Sequence, residues 1–85
     1  MPAKNFVIAN RANKTIGRFP LWVQDKISKA FDTLKENPLK GEKMHGEISG
    51  KYKFRVGDYR IVYKFDSKQS LVEILKIEHR QGIYK

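Results

Sequence analysis

The sequence predicts a small α+β domain of the order β-α-α-β-β-β, with two N-terminal helices packed on one face of a mostly antiparallel sheet. An apolar run of strand length comes first, and two stretches with helical periodicity follow it. The second half of the chain holds a β-hairpin pattern and then a nearly continuous apolar strand. Because 85 residues can build one hydrophobic core but not two, residues 1–85 are predicted to form a single domain.

The first strand and the first helix are predicted from residues 5–17. Residues 5–9 form the apolar run, and Asn10 is a residue type suited to cap a helix that follows. Gly17 is a weak helix former and is expected to mark the end of this helix. The helix would place apolar side chains on one face at positions i, i+4 and i+7, namely Ala12, Ile16 and Phe19.

The second helix has a clearer pattern. Pro20 fits its first turn, and Asn37-Pro38 is expected to stop it because a residue before proline is biased away from helical geometry. Its aromatic and aliphatic side chains, including Trp22, are assigned to the core and not to a ligand site. The apolar stripe consists of Val23, Ile27, Ala30, Phe31 and Leu34.

The hairpin spans residues 51–65, where two alternating runs are joined by Gly57-Asp58. With these two residues as the loop, Val56 faces Tyr59 and the pairing continues outward to Lys51 and Lys64. One face is then aromatic and aliphatic and suited to pack on the helices: Tyr52, Phe54, Val56, Tyr59, Ile61 and Tyr63.

The segments around the hairpin complete the predicted fold. A loop rich in glycine and charge is expected over residues 39–50, and a turn over residues 66–70. The last strand runs from residue 71 to about residue 78. It is too continuously apolar to be half exposed, so we expect it to have a neighbouring strand on each side.

The second face of the hairpin is basic: Lys51, Lys53, Arg55, Arg60 and Lys64 share it, with only Val62 uncharged. Like charges directly opposite each other destabilise a sheet pair, and the register sets Arg55 against Arg60 with no carboxylate in the hairpin face. This unneutralised face is interpreted as a surface for a polyanion. The alternative is a solvated lysine and arginine face that only keeps the sheet soluble.

The composition of the whole chain indicates which kinds of binding partner the protein could have. A net charge of +9 favours nucleic acid or an acidic protein segment, and a membrane surface is disfavoured because no helix is apolar on one side and basic on the other. The chain has no cysteine, and neither His45 nor His79 lies in a recognisable metal-ligand spacing, so no metal and no cofactor are predicted. No leader or membrane-spanning run is visible, and a cytoplasmic protein is expected.

Several side chains are suited to phosphodiester chemistry. RNA cleavage without a metal needs removal of the 2′-hydroxyl proton, stabilisation of a five-coordinate phosphorus and protonation of the leaving 5′-oxygen. Fixed cations meet the second need and lower the pKa of an adjacent tyrosine. The candidate set is Lys53, Arg55, Arg60, His79, Arg80 and Tyr84, and Lys51 and Lys64 are further candidate RNA contacts beside His79.

Three segments resemble successive signatures of the RelE family within the RelE/ParE toxin superfamily. They are Lys43-Met-His-Gly46, the hairpin segment Tyr52-Lys-Phe-Arg-Val-Gly-Asp-Tyr-Arg-Ile-Val-Tyr63, and Ile77-Glu-His-Arg-Gln-Gly-Ile-Tyr84. The likeness extends to the leading strand and the helix pair, so it covers nearly the whole chain. It implies the compact RelE fold, a toxin role in a type II toxin–antitoxin system, and ribosome-dependent cleavage of mRNA in the decoding site.

The resemblance also implies roles for single residues. Lys53, Arg55 and Arg60 match basic positions that stabilise the reacting phosphate. Tyr84 matches a tyrosine that activates the 2′-hydroxyl, and Arg80 matches an arginine suited to assist the leaving group. The implied partners are the ribosome, mRNA and a cognate antitoxin, for which an acidic amphipathic helix would suit the basic groove. Two alternatives stay open: a ParE-like inhibitor of DNA gyrase, and a family member that binds RNA or the ribosome without cleaving.

Overall fold

The computed structural model describes residues 3–44 and 50–79. The helices are α1 (Asn10–Gly17) and α2 (Leu21–Glu36). The strands are β1 (Asn5–Ile8), β2 (Glu42–Lys43), β3 (Lys51–Val56), β4 (Tyr59–Asp66) and β5 (Leu71–His79). They form one five-stranded sheet in the order β1-β5-β4-β3-β2, in which only β1 and β5 are parallel. The predicted α+β fold is confirmed, with β2 added inside the segment that was predicted to be a loop.

The helix starts differ by one residue from the predicted positions. Ala9, and not Asn10, occupies the N-cap position, and no side chain caps α1. The backbone N–H of Ala9 donates to the carbonyl of Ile74, so the pairing of β1 with β5 fixes where the strand ends. Pro20 likewise precedes α2 in an extended conformation, and its carbonyl accepts the backbone N–H groups of Val23 and Gln24.

The core lies between the two helices and one face of the sheet. All five apolar positions predicted for α2 are buried, and they pack against Ile61, Tyr63 and the buried residues of β5. Trp22 was also assigned to the core, and that assignment is wrong because its side chain is 63% exposed. It precedes the buried Val23 by one position, which is about 100° around a helix and takes the indole out of the stripe. Lys26 lies over its ring.

The predicted hairpin register is confirmed in full. Val56 pairs with Tyr59, and the ladder continues through Arg55 with Arg60 out to Lys51 with Lys64. Gly57 has a φ of +59°, a conformation that glycine adopts at no steric cost in a two-residue turn. The prediction that the last strand has neighbours on both sides is also confirmed, since β5 lies between β1 and β4.

A register shift in the β4–β5 ladder changes which side chains of β5 face the helices. Tyr63 pairs with Ile74 but Val62 pairs with Lys76, so Leu75 has no partner in β4. The shift puts Ile77 into the core and turns Lys76 and Glu78 to the face without helices, which we call the open face. Cross-strand neighbours on the open face form three rows: Glu78–Arg60–Arg55, Lys76–Val62–Lys53 and Glu73–Lys64–Lys51.

Candidate functional site

A groove of about 490 Å³ opens where the hairpin meets the segment before β2. It brings together three of the predicted catalytic residues, Lys53, Arg55 and Arg60. Because Lys53 and Arg55 are two positions apart on β3, both side chains leave the sheet on the same face, and Arg60 is the cross-strand partner of Arg55. The complete lining is Lys40, Gly41, Glu42, Lys53, Phe54, Arg55 and Arg60.

Glu42 supplies a carboxylate to this groove. It pairs with Lys53 in the β2–β3 ladder, and its Oε1 lies 3.6 Å from Nζ of Lys53. Both side chains are exposed by more than a third, so a bound phosphate would compete with Glu42 for the ammonium group. Sequence reasoning missed Glu42 because a two-residue strand leaves no alternating pattern to detect.

Glu78 is the second carboxylate at the site. Arg60 donates from Nε to Oε1 of Glu78 over 3.0 Å and from Nη2 to the same oxygen, while Nζ of Lys76 lies 2.9 Å from Oε2. Burial alone would raise the pKa of Glu78, but the hydrogen bonds from Lys76 and Arg60 and their positive charges together outweigh it and hold the pKa below its ordinary value. Glu78 is therefore ionised at neutral pH and shared by two cations.

These contacts correct the expectation of an unneutralised cationic face. The hairpin itself carries no carboxylate on that face, but its flanking strands bring Glu42 beside Lys53 and Glu78 beside Arg60. The sequence could not show this because each carboxylate comes from another strand. Arg55 is exposed, and within the described part of the chain neither Arg55 nor Lys40 forms an ion pair, so both cations are available to a bound anion.

Lys51 and Lys64 face each other on the open face, and they do not line the groove. Glu73 is the neighbour of Lys64 on β5, so this row also has a carboxylate at one end. His79 lies on the helix side. Its ring packs edge-on against Tyr59 with the ring centroids 4.7 Å apart, and the ring centroids of Tyr59 and Phe19 lie 4.8 Å apart. RNA contacts by these three residues stay predictions. Arg80 and Tyr84 lie outside the described residues.

One wall of the groove is fixed to the core through Tyr63. This side chain is fully buried; its hydroxyl donates to the carbonyl of Pro38 over 2.7 Å and accepts the backbone N–H of Gly41 over 3.0 Å. Burial raises the pKa of Tyr63 to about 12, although the hydrogen bond from the backbone N–H of Gly41 acts in the opposite direction. The hydroxyl is therefore a permanent donor that fixes the segment leading into β2.

The comparison that decides the family covers almost the whole sequence. Residues 7–84 match the family described as the ParE toxin of the type II toxin–antitoxin system parDE. The chain belongs to the RelE/ParE family of type II toxins. The family resemblance and its α+β fold are thus confirmed.

Two related toxins and one solved structure agree with this assignment. Toxin RelG of Mycobacterium tuberculosis is 37% identical over 57 residues, which are 66% of this chain and 66% of RelG. Putative toxin RelE1 of Methanocaldococcus jannaschii is 31% identical over 85 residues, covering 95% of this chain and 94% of that protein. One chain of the crystal structure of the toxin–antitoxin complex RelBE2 of M. tuberculosis superposes on this chain with a TM-score of 0.84 at 27% identity, covering 94% of this chain and 93% of that chain.

The groove of this toxin has side chains suited to contact an anion. Lys53, Arg55 and Arg60 project from the paired strands β3 and β4, so their backbone positions are rigid. The exposed Arg55 can contact a phosphate without losing a protein partner. Within residues 3–44 and 50–79, no three potential ligands lie close enough to hold a metal ion, and no helix is long and apolar enough to cross a membrane.

Proposed function

We propose that this toxin is an endoribonuclease that cleaves translated mRNA in the ribosomal A site and thereby stops translation. The observation that carries the proposal is the groove in which Lys53, Arg55 and Arg60 converge. These three side chains and Lys40 put four cations at one concave site, which matches the needs of a reaction that passes through a phosphorus with additional negative charge. A face that only kept the protein soluble would not need its cations gathered in a groove.

The chemistry uses the RNA's own 2′-hydroxyl as the nucleophile. Tyr84 is proposed to activate that hydroxyl, as the family resemblance implies. Arg80 is proposed to assist the departing 5′-oxygen by stabilising its negative charge, and water supplies the proton that this oxygen takes up. Lys53 and Arg60 stabilise the pentacoordinate phosphate. Arg55 acts electrostatically, because a guanidinium holds its protons too strongly to donate one to a leaving group.

The proposed partners follow from the same surface. The mRNA backbone contacts the groove, with Lys51, Lys64 and His79 as further contacts, and the ribosome presents the mRNA in the cytoplasm. A cognate antitoxin is proposed to cover the basic groove with an acidic amphipathic segment. The similarity to a chain of the RelBE2 toxin–antitoxin complex supports the existence of such a partner.

Primer extension on cellular mRNA after brief induction tests the proposal. We expect cuts confined to translated regions with the wild-type toxin, and strong reduction of the cuts with Lys53→Ala, Arg60→Ala or Tyr84→Phe. Lys14→Ala and Arg11→Ala are matched controls, because they remove the same charges from exposed positions on α1, away from the groove. Growth arrest that is unchanged in all three groove and tail variants would refute the proposal.

Inhibition of DNA gyrase is the second candidate, because the matched family is described by its ParE toxins. It predicts DNA damage signalling with intact transcripts after induction. Tight, salt-dependent binding to ribosomes or RNA without cleavage would instead identify a non-catalytic binder. The proposal of cleavage and these two outcomes are therefore separated by one induction experiment that records both transcripts and DNA damage.

A further inference from the structure

Glu78 lies outside the groove lining but is bonded to a residue within it. The row Glu78–Arg60–Arg55 crosses three strands, so Arg60 has a carboxylate on one side and a like charge on the other. The register shift between Val62 and Tyr63 creates this row. In a regular ladder Ile61 would oppose Lys76, and Glu78 would face the helices.

The bonds to Glu78 use one edge of the Arg60 guanidinium. Nε and Nη2 both donate to Oε1, and in the described part of the chain Nη1 forms no hydrogen bond. The Glu78 side chain is only 24% exposed and its second oxygen is held by Lys76, so it cannot easily follow a moving arginine. The guanidinium is therefore fixed by one edge and has donors left for another acceptor.

Electrostatics adds a second effect. Arg60 and Arg55 repel each other across the hairpin, and Glu78 on the far side of Arg60 lowers the total positive charge at this end of the groove. A carboxylate so close to the cations also repels the phosphates of RNA. Glu78 thus has two separable consequences, orientation of Arg60 and a lower affinity for RNA.

We propose that Glu78 is a positioning residue of the phosphate-binding site: it orients Arg60 toward the reacting phosphate and weakens the binding of RNA in its ground state. The proposal rests on the proposed ribonuclease function and deepens it. An interaction that helps the transition state without tightening substrate binding raises the rate of the chemical step. Glu78 acts through Arg60 and does not itself touch the RNA.

The test separates binding from chemistry with Glu78→Gln. Affinity for single-stranded RNA and the single-turnover rate of mRNA cleavage on purified ribosomes are measured for the same protein preparations. We expect binding to become several-fold tighter, because one negative charge is lost, and cleavage to become about tenfold slower, because Arg60 loses its fixed partner. A merely structural role would weaken binding and slow cleavage together.

Two further variants control for charge and for position. Glu73→Gln removes the same charge from the same strand and the same face, but its row contains Lys64 and not Arg60. It is expected to tighten RNA binding slightly and to leave the cleavage rate unchanged. Glu78→Asp keeps the charge with a shorter side chain, so it is expected to bind RNA like the wild type and to cleave more slowly. Equal effects of Glu78→Gln and Glu73→Gln on cleavage would overturn the proposal.

A readout that needs no activity is the Nε–Hε signal of Arg60 in the NMR spectrum, assigned by its loss in Arg60→Lys. In the wild-type toxin this proton is expected to exchange slowly with water, and in Glu78→Gln it is expected to exchange as fast as that of the exposed Arg11. If the Hε proton of Arg60 exchanges with water as fast as that of Arg11 already in the wild-type toxin, the proposed positioning role of Glu78 is overturned. If the wild-type toxin fails to cleave, the ribonuclease proposal fails, and this NMR comparison alone still decides whether Glu78 positions Arg60.

Discussion

The hydroxyl oxygen of Tyr63 lies 3.0 Å from the backbone nitrogen of Gly41, and this contact joins the centre of the sheet to the wall of the groove. The same hydroxyl donates to the carbonyl of Pro38. One fully buried side chain thus satisfies two backbone groups of the segment that leads into β2. Since β2 carries Glu42 to Lys53, the geometry of the candidate site depends on a residue of the core.

Tyr63→Phe should destabilise the toxin by about 1–3 kcal/mol, because it leaves the N–H of Gly41 and the carbonyl of Pro38 without their buried partner. Urea unfolding would measure this loss, with the slope of the unfolding free energy against urea concentration expected to stay unchanged. Tyr52→Phe is the matched control, since the ring of Tyr52 stacks on Tyr63 and its hydroxyl makes no hydrogen bond within the described residues. Equal losses in the two variants would show that the Tyr63 hydroxyl contributes nothing specific.

Gly41→Ala should also destabilise the toxin, by about 1–3 kcal/mol, through steric overlap. A Cβ at this position would lie 2.5 Å from the hydroxyl oxygen of Tyr63 and 2.9 Å from the backbone oxygen of Lys53, so neither neighbour can move away easily. Gly17→Ala is the control, because a Cβ there meets nothing within 4 Å. The Tm of Gly17→Ala should equal or exceed that of the wild type. A Gly41→Ala protein with an unchanged Tm would contradict the close approach of Gly41 to Tyr63 and Lys53.

The stability of the toxin at high pH should depend on Tyr63. The pKa of Tyr63 is raised in the folded protein from 10.0 to about 12, so the protonated hydroxyl stabilises the fold fully below pH 10 and this contribution is lost as the pH rises toward 12. Unfolding free energies measured across that window should fall more steeply for the wild type than for Tyr63→Phe. Parallel curves would contradict a buried hydroxyl with a raised pKa.

Stability at low pH should depend on Glu78. Its pKa is lowered in the folded state, so the ion pairs with Arg60 and Lys76 contribute fully above the ordinary pKa of 4.5 and are lost as the pH falls below it. Glu78→Gln should therefore be less stable than the wild type at neutral pH and should approach it under acid conditions. If the difference in unfolding free energy between the wild type and Glu78→Gln is the same at all pH values, the carboxylate charge is not the source of the stabilisation.

Much of the fold could be predicted because local signals agreed with one another. The Gly57-Asp58 turn fixed the hairpin register, and Asn37 before Pro38 marked the end of α2. The stripe from Val23 to Leu34 correctly gave the buried face of that helix. Each of these features is set by residues close together in sequence, where periodicity and turn chemistry act directly.

The site could be predicted only in part, because its carboxylates depend on long-range pairing. The convergence of Lys53, Arg55 and Arg60 followed from the hairpin alone. Glu78 reaches the open face through a register shift that the uninterrupted apolar pattern of β5 does not reveal, and Glu42 arrives on a strand of two residues. The sequence therefore predicted the three cations but not the two carboxylates that pair with Lys53 and Arg60.

The most direct test of the central claim is single-turnover cleavage of an mRNA held in the A site of purified ribosomes, with the wild-type toxin, Arg60→Ala and Arg11→Ala compared at equal ribosome occupancy. The account predicts a cut at the A site, unchanged with Arg11→Ala and slowed by about a hundredfold or more with Arg60→Ala. Intact mRNA with the wild-type toxin, or equal cleavage by all three proteins, would contradict it.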